Sequence, residues 1–126
     1  MNQNSQDDGF SLVELLVTLV ILGILAAIAV PVFVRLRTRA DDAALTSDLK
    51  NAVTAESAYT ISNGAYTANV SDLTVEGYVP THGVTPVHVK LVGASYVACV
   101  SREAAASWLV YDAASGLLSS SSSDCA

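Results

Sequence analysis

Glu14 is the one charged residue in the apolar run from 10 to 34. A carboxylate within hydrocarbon costs roughly 2.5–3.5 kcal/mol on insertion scales, so it calls for a positive partner or a route to water. The residues just before it offer a partner. Scission between Gly9 and Phe10 would create an α-amino group four residues ahead of Glu14, the i, i+4 spacing at which opposite charges meet on one helix face. The same pair could form between neighbouring copies of the chain.

Other chemistry-bearing residues are sparse. Cys99 and Cys125 stand far apart, with no second pair or clustered histidines to make a metal site. A disulfide in an exported domain is the expectation, with two unpaired thiols as the alternative. His82 and His88 lack nearby cysteine or paired carboxylates and read as solvated or packing residues. Asp112 and Asp124 are too dispersed for a hard-cation site, which takes about 6–8 oxygen ligands. The serines, Ser107 and Ser119 among them, have no His/Asp constellation for nucleophilic catalysis, and no phosphate-binding loop occurs. No enzyme, cofactor or metal is expected. Trp108 and the five tyrosines read as core or lateral packing. A net charge of −6 argues against binding nucleic acid by bulk electrostatics.

A chain of 126 residues leaves room for one small domain once the apolar run is set aside. Residues 1–9 are polar, with Asp7 and Asp8, and read as a removable leader. As a helix, 10–34 is about 37 Å long, enough to span a bilayer. Pro31 lacks a backbone donor and disfavours the helical conformation at Val30, which predicts a kink. Ala27 and Ala29 fit the small-x-small pattern of a signal peptide, but no basic segment precedes the run and the run is too long. Beyond Arg35, Arg37 and Arg39, the residues Leu45, Leu49, Ala52, Val53 and Tyr59 recur at helical spacing, with Asp48, Lys50 and Glu56 elsewhere on the circumference. That pattern predicts an amphipathic helix over 35–62, stopped by Asn63 and Gly64. Residues 65–86 have loop composition, with a short turn at 71–73. The runs 87–92, 96–100 and 108–111 read as strands and 117–118 as a candidate fourth; connections this short favour an antiparallel meander. The fold class is therefore α+β: a long N-terminal helix, half membrane-spanning and half amphipathic, packed on a small antiparallel sheet, with loop and sheet together filling 63–126.

Gly9-Phe10, Glu14, Gly23 and Pro31 together resemble the type IV pilin and type II secretion pseudopilin superfamily. The segment 66–73 is similar to a tyrosine-to-leucine segment that follows the helix in many of its members. The resemblance implies a pilin-like fold in which 1–9 is a prepilin leader, cut after Gly9 by a membrane prepilin peptidase that then N-methylates Phe10. It also implies that Glu14 sets each incoming subunit in register against a neighbour's amine. Gly23 and Pro31 would be helix-breaking positions bracketing a section that unwinds in a fibre, where neighbours satisfy the freed backbone groups.

The function so implied is self-assembly. The chain would be a major-type pilin whose apolar helices form the core of a helical surface filament, supporting adhesion, motility or DNA uptake. Its partners would be other copies of itself, the prepilin peptidase, an assembly platform with separate motor machinery, and the membrane. It would wait as a single-pass cytoplasmic membrane protein and then become part of an extracellular fibre. One alternative is a type II secretion pseudopilin forming a periplasmic piston; a calcium site would favour it, whereas a C-terminal disulfide favours the pilin. Another is a membrane-anchored binding protein that never polymerises, for which Glu14 would be dispensable. One pattern runs against the family. Asp7 and Asp8 precede the span and Arg35, Arg37 and Arg39 follow it, so the positive-inside rule puts the N-terminus outside, whereas the family places the leader in the cytoplasm.

Overall fold

The computed structural model describes residues 9–102 and 107–125; of the expected leader, residues 1–8 lie outside the described residues. Helix α1, Leu12–Asn63, contains Pro31 and runs on for 52 residues. In the single chain α1 continues through both Gly23 and Pro31; the unwinding that the resemblance implies belongs to the fibre. Proline forfeits one helical hydrogen bond, and long stretches of helix-forming Leu, Ile and Ala on either side sustain the rest. The C-terminal stop lies where expected. Gly64 takes φ +75°, a left-handed conformation that costs glycine nothing, and its N–H closes on the Thr60 carbonyl at 2.8 Å.

The chain divides into two units, Met1–Thr38 and Arg39–Ala126. The described part of the first is the apolar stretch of α1, exposed along its whole length. The second holds the rest of α1, a short helix α2 (Val70–Val75) and four strands. Asn69 caps α2, its side-chain oxygen accepting from the Ser71 N–H at 3.3 Å. The expected turn at 71–73 is thus part of a helix.

Strands β1 (His88–Val92), β2 (Ser95–Ser101), β3 (Trp108–Asp112) and β4 (Leu117–Ser121) form one antiparallel sheet in the order β1-β2-β3-β4. This is the meander that the short connections predict. Alternation gives the sheet two faces. Val89, Tyr96, Ala98 and Val100 point into a core shared with Leu49, Ala52 and Ala55 of α1, and with Leu73, Tyr78, Val84 and Val87 from the connecting segment. Tyr66, Tyr96 and Tyr111 form an aromatic file in this layer, with ring centroids 4.7 and 6.3 Å apart along it. Arg102 pairs with Asp41 of α1.

The helical face differs from the sequence expectation, most sharply at two charged positions. Asp48 and Glu56 are 0% exposed, not turned to solvent. Asp48 accepts the Tyr78 hydroxyl at 2.7 Å and the Thr81 N–H at 2.7 Å, while Tyr78 Oη in turn accepts the Val87 N–H at 3.0 Å. Charge-assisted bonds of this kind are what let a carboxylate sit inside a core. Burial first, and the bond to Asp48 second, push the Tyr78 hydroxyl well above the ordinary tyrosine range. Leu45, Val53 and Tyr59, expected on the buried face, are only partly covered.

The outer face of the sheet carries the C-terminal strap. His88 lies opposite Cys99 on the neighbouring strand, and Trp108 lies between Ser101 and Ser121 in the register. After β4 the chain turns back over these residues. Cys125 is disulfide-bonded to Cys99, and its N–H donates to the Cys99 sulfur at 3.2 Å. His88 Nδ1 lies 2.6 Å from Asp124 Oδ2 and its ring sits 5.1 Å from that of Trp108. His88 is therefore tied on two sides, which its sequence neighbours gave no reason to expect.

Candidate processing and assembly site

The start of α1 brings together the residues that the sequence marks for processing. Gly9, Phe10 and Ser11 precede the helix, and Phe10 is 80% exposed. Glu14 stands in the first turn, where a negative charge faces the positive end of the helix dipole. Its Oε2 accepts the backbone N–H of Ser11 at 3.0 Å, and the Ser11 carbonyl accepts the N–H of Leu15 at 3.2 Å. This is the carboxylate half of a capping box, in which the side chain at the third helical position reaches back to the N–H of the cap residue. The signal was present in the sequence as Ser11-x-x-Glu14, a spacing that identifies Ser11 as a residue of the site.

The contact brings the carboxylate to within one residue of the Gly9–Phe10 bond. An amine released on Phe10 would emerge beside an acceptor already turned towards the N-terminal end. Phe10, Val13, Glu14, Val17 and Thr18 line one shallow groove along this face. From there to residue 34 the helix is apolar and exposed, and α1 is long and apolar enough to cross a membrane by length and composition.

The remaining candidate residues serve structural ends. Asp112 accepts the N–H groups of Ala114 and Ser115, at 2.8 and 3.4 Å, and so shapes the β3–β4 turn, while Asp124 is engaged with His88. The two carboxylates thus do separate jobs. The Cys99 and Cys125 sulfurs and an Asp124 oxygen lie within 4.8 Å of one another, but a disulfide offers no thiolate to a metal. His82 is exposed.

Comparison with known proteins bears on the same segment. Residues 4–30 match a family model described as the prokaryotic N-terminal methylation motif. The chain is 42% identical over 65 residues to the type IV wide pilus major component PilA4 of Thermus thermophilus, covering 52% of this chain and 50% of that protein. It is 31% identical over 80 residues to the type IV major pilin protein PilA of Myxococcus xanthus, covering 64% and 35%. It is 37% identical over 87 residues to the type II secretion system core protein G of Pseudomonas aeruginosa, covering 67% and 59%. The alignments thus span between 35% and 59% of these relatives' own lengths.

Proposed function

Because the chain belongs to the type IV pilin and type II secretion pseudopilin superfamily, we propose that it is the structural subunit of a type IV pilus. In this reading residues 1–9 are a leader removed by prepilin peptidase, and Phe10 becomes the N-methylated terminus. The span 10–34 holds the subunit as a single-pass protein in the cytoplasmic membrane. It later exchanges lipid for neighbouring helices in the core of an extracellular filament, with assembly platform and motor machinery as partners. The observation that carries the proposal is the Glu14 carboxylate drawn back to the Ser11 N–H, beside the Gly9–Phe10 bond, at the head of an exposed apolar helix.

Glu14 then has two successive duties. In the membrane subunit the Ser11 N–H and the helix dipole temper a charge that is costly in hydrocarbon. In the polymer the amine of an adjacent Phe10 supplies the opposite charge, so only a subunit in the correct axial position neutralises it. Gly23 and Pro31 supply a section of α1 that can open under packing forces, since Pro31 already lacks one donor. Adhesion, motility or DNA uptake would belong to the whole fibre.

The similarity to core protein G keeps a second reading in view, a subunit of a type II secretion pseudopilus. The Cys99–Cys125 disulfide at the C-terminal end supports the pilin. Two substitutions test the proposal. Glu14→Ala removes both cap and charge; Glu14→Gln keeps an acceptor for Ser11 and removes only the charge. Both variants should insert and be processed to a mature terminus at Phe10 by mass spectrometry, yet give few or no filaments by electron microscopy. Normal filaments from Glu14→Ala would sink the assembly role, and normal filaments from Glu14→Gln would assign it to the cap.

A further inference from the structure

One buried titratable group has no part in that proposal. Glu56 is 0% exposed and sits beneath the segment joining α1 to the sheet. Its Oε2 accepts the N–H of buried Thr67 at 3.2 Å, whereas Oε1, equally buried, has no hydrogen-bond partner among the described residues. An ionised carboxylate in such a place buries a charge with one oxygen unpartnered; the neutral acid still leaves Oε1 unpartnered but buries no charge, a far smaller cost.

Among the described residues, the surroundings add no positive charge. From α2, Asp72 repels Glu56, and it is itself held by Thr67 Oγ1, which donates to Asp72 Oδ2 at 2.8 Å. Tyr96 of β2 faces Glu56, with Tyr66 and Tyr111 beside Tyr96. The Asp48 carboxylate, by contrast, has donors on both oxygens. Of the two buried acids on α1, one has both oxygens satisfied and the other has one oxygen without a partner among the described residues.

We propose that Glu56 is a proton-operated latch: as the neutral acid it stays dry beneath residues 64–75, and on ionisation the buried charge draws water in under them and lifts them from α1. The strengthened Thr67 bond offsets that desolvation cost only in part. Thr67 is the pivot, because its N–H bonds Glu56 while its hydroxyl bonds Asp72 and accepts the Asn69 N–H at 3.0 Å. Losing the Glu56 contact therefore frees the start of α2 as well. The inference stands on the fold of the second unit alone and does not require polymerisation.

The direction with pH follows from the geometry. Burial first, and Asp72 with it, raise the Glu56 carboxyl above its ordinary 4.5, against a lowering by the Thr67 N–H. The folded chain thus holds this proton more tightly than the unfolded chain does. Stability from this group is complete below the unfolded value, declines as pH rises past it, and is gone above the raised folded value.

The test is thermal unfolding of the full chain in neutral detergent micelles between pH 4.5 and 8, comparing wild type with Glu56→Gln. Glutamine keeps an oxygen for Thr67 and cannot ionise. The melting temperatures should nearly coincide at the acid end, and the variant should gain about 4–8 °C over wild type by the alkaline end, the shift expected for a modest stability change in a small domain. Hydrogen exchange on the wild type, corrected for intrinsic pH dependence, gives a second reading without a variant. Protection of 64–75 should fall with rising pH relative to β2. A melting gap that stays constant across the range, or a protection ratio that does not move, would overturn the latch.

Discussion

Tyr78→Phe removes a single oxygen from the centre of the second unit, and the structure sets the size of its effect. That oxygen donates to the buried Asp48 carboxylate and accepts the Val87 N–H. Its loss forfeits a hydrogen bond to a charged group, a net contribution of about 1.5–3 kcal/mol. It also strands the Val87 amide at a 0% exposed residue, a further cost of about 1–3 kcal/mol. A total of about 2.5–6 kcal/mol is large beside the roughly 5–15 kcal/mol that holds an ordinary domain together. At about 4–8 °C per kcal/mol for a domain of this size, the melting temperature should fall by at least roughly 10 °C. Circular dichroism on the full chain in micelles measures it. Tyr59→Phe is the control, since the Tyr59 hydroxyl bonds nothing among the described residues and its removal should stay within about 0.5 kcal/mol. In an Asp48→Asn background Tyr78→Phe should cost less, because the charged acceptor is gone. A Tyr78→Phe melt within about 3 °C of wild type would refute the reasoning and mean that water replaces the hydroxyl.

Replacing Cys99 and Cys125 by serine opens a loop with a sequence separation of 26; chain entropy gives a loss of about 3.5 kcal/mol, readable as a lower denaturant midpoint with an altered slope. Gly64→Ala puts a side chain at φ +75° and should destabilise by about 1 kcal/mol, with Gly64→Asn milder, as measured by urea unfolding.

Local signals carried most of the fold. The end of α1 was legible because Asn63 and Gly64 are a helix stop in their own right, and the strands because β-branched and aromatic runs sit between turn residues. At the candidate site, Glu14 declared itself by being charged among hydrocarbons, and Ser11 was readable at capping-box spacing. Asp48 and Glu56 were not legible as buried residues. Helical periodicity assigns charges to the wet side by default, and what reverses that default is a partner far along the chain: Tyr78 and Thr81 for Asp48, Thr67 for Glu56. The engagement of His88 by Asp124 spans 36 residues and was hidden for the same reason. Gly23 and Pro31 show the converse. Their local preference is to interrupt a helix, yet α1 carries through both.

The C-terminal strap has a mechanical consequence. A pull on the two ends of the chain reaches residue 125 from one side and, through the disulfide, residue 99 from the other, so force bypasses everything between them. The segment between the two cysteines would lengthen by about 90 Å if drawn straight at roughly 3.5 Å per residue, and the bond withholds all of it. Strands β3 and β4 lie inside that sheltered loop, so tension cannot peel the sheet from its C-terminal edge. Oxidised, the chain can yield only before Cys99; reduced, the same pull would find a second stretch to draw out.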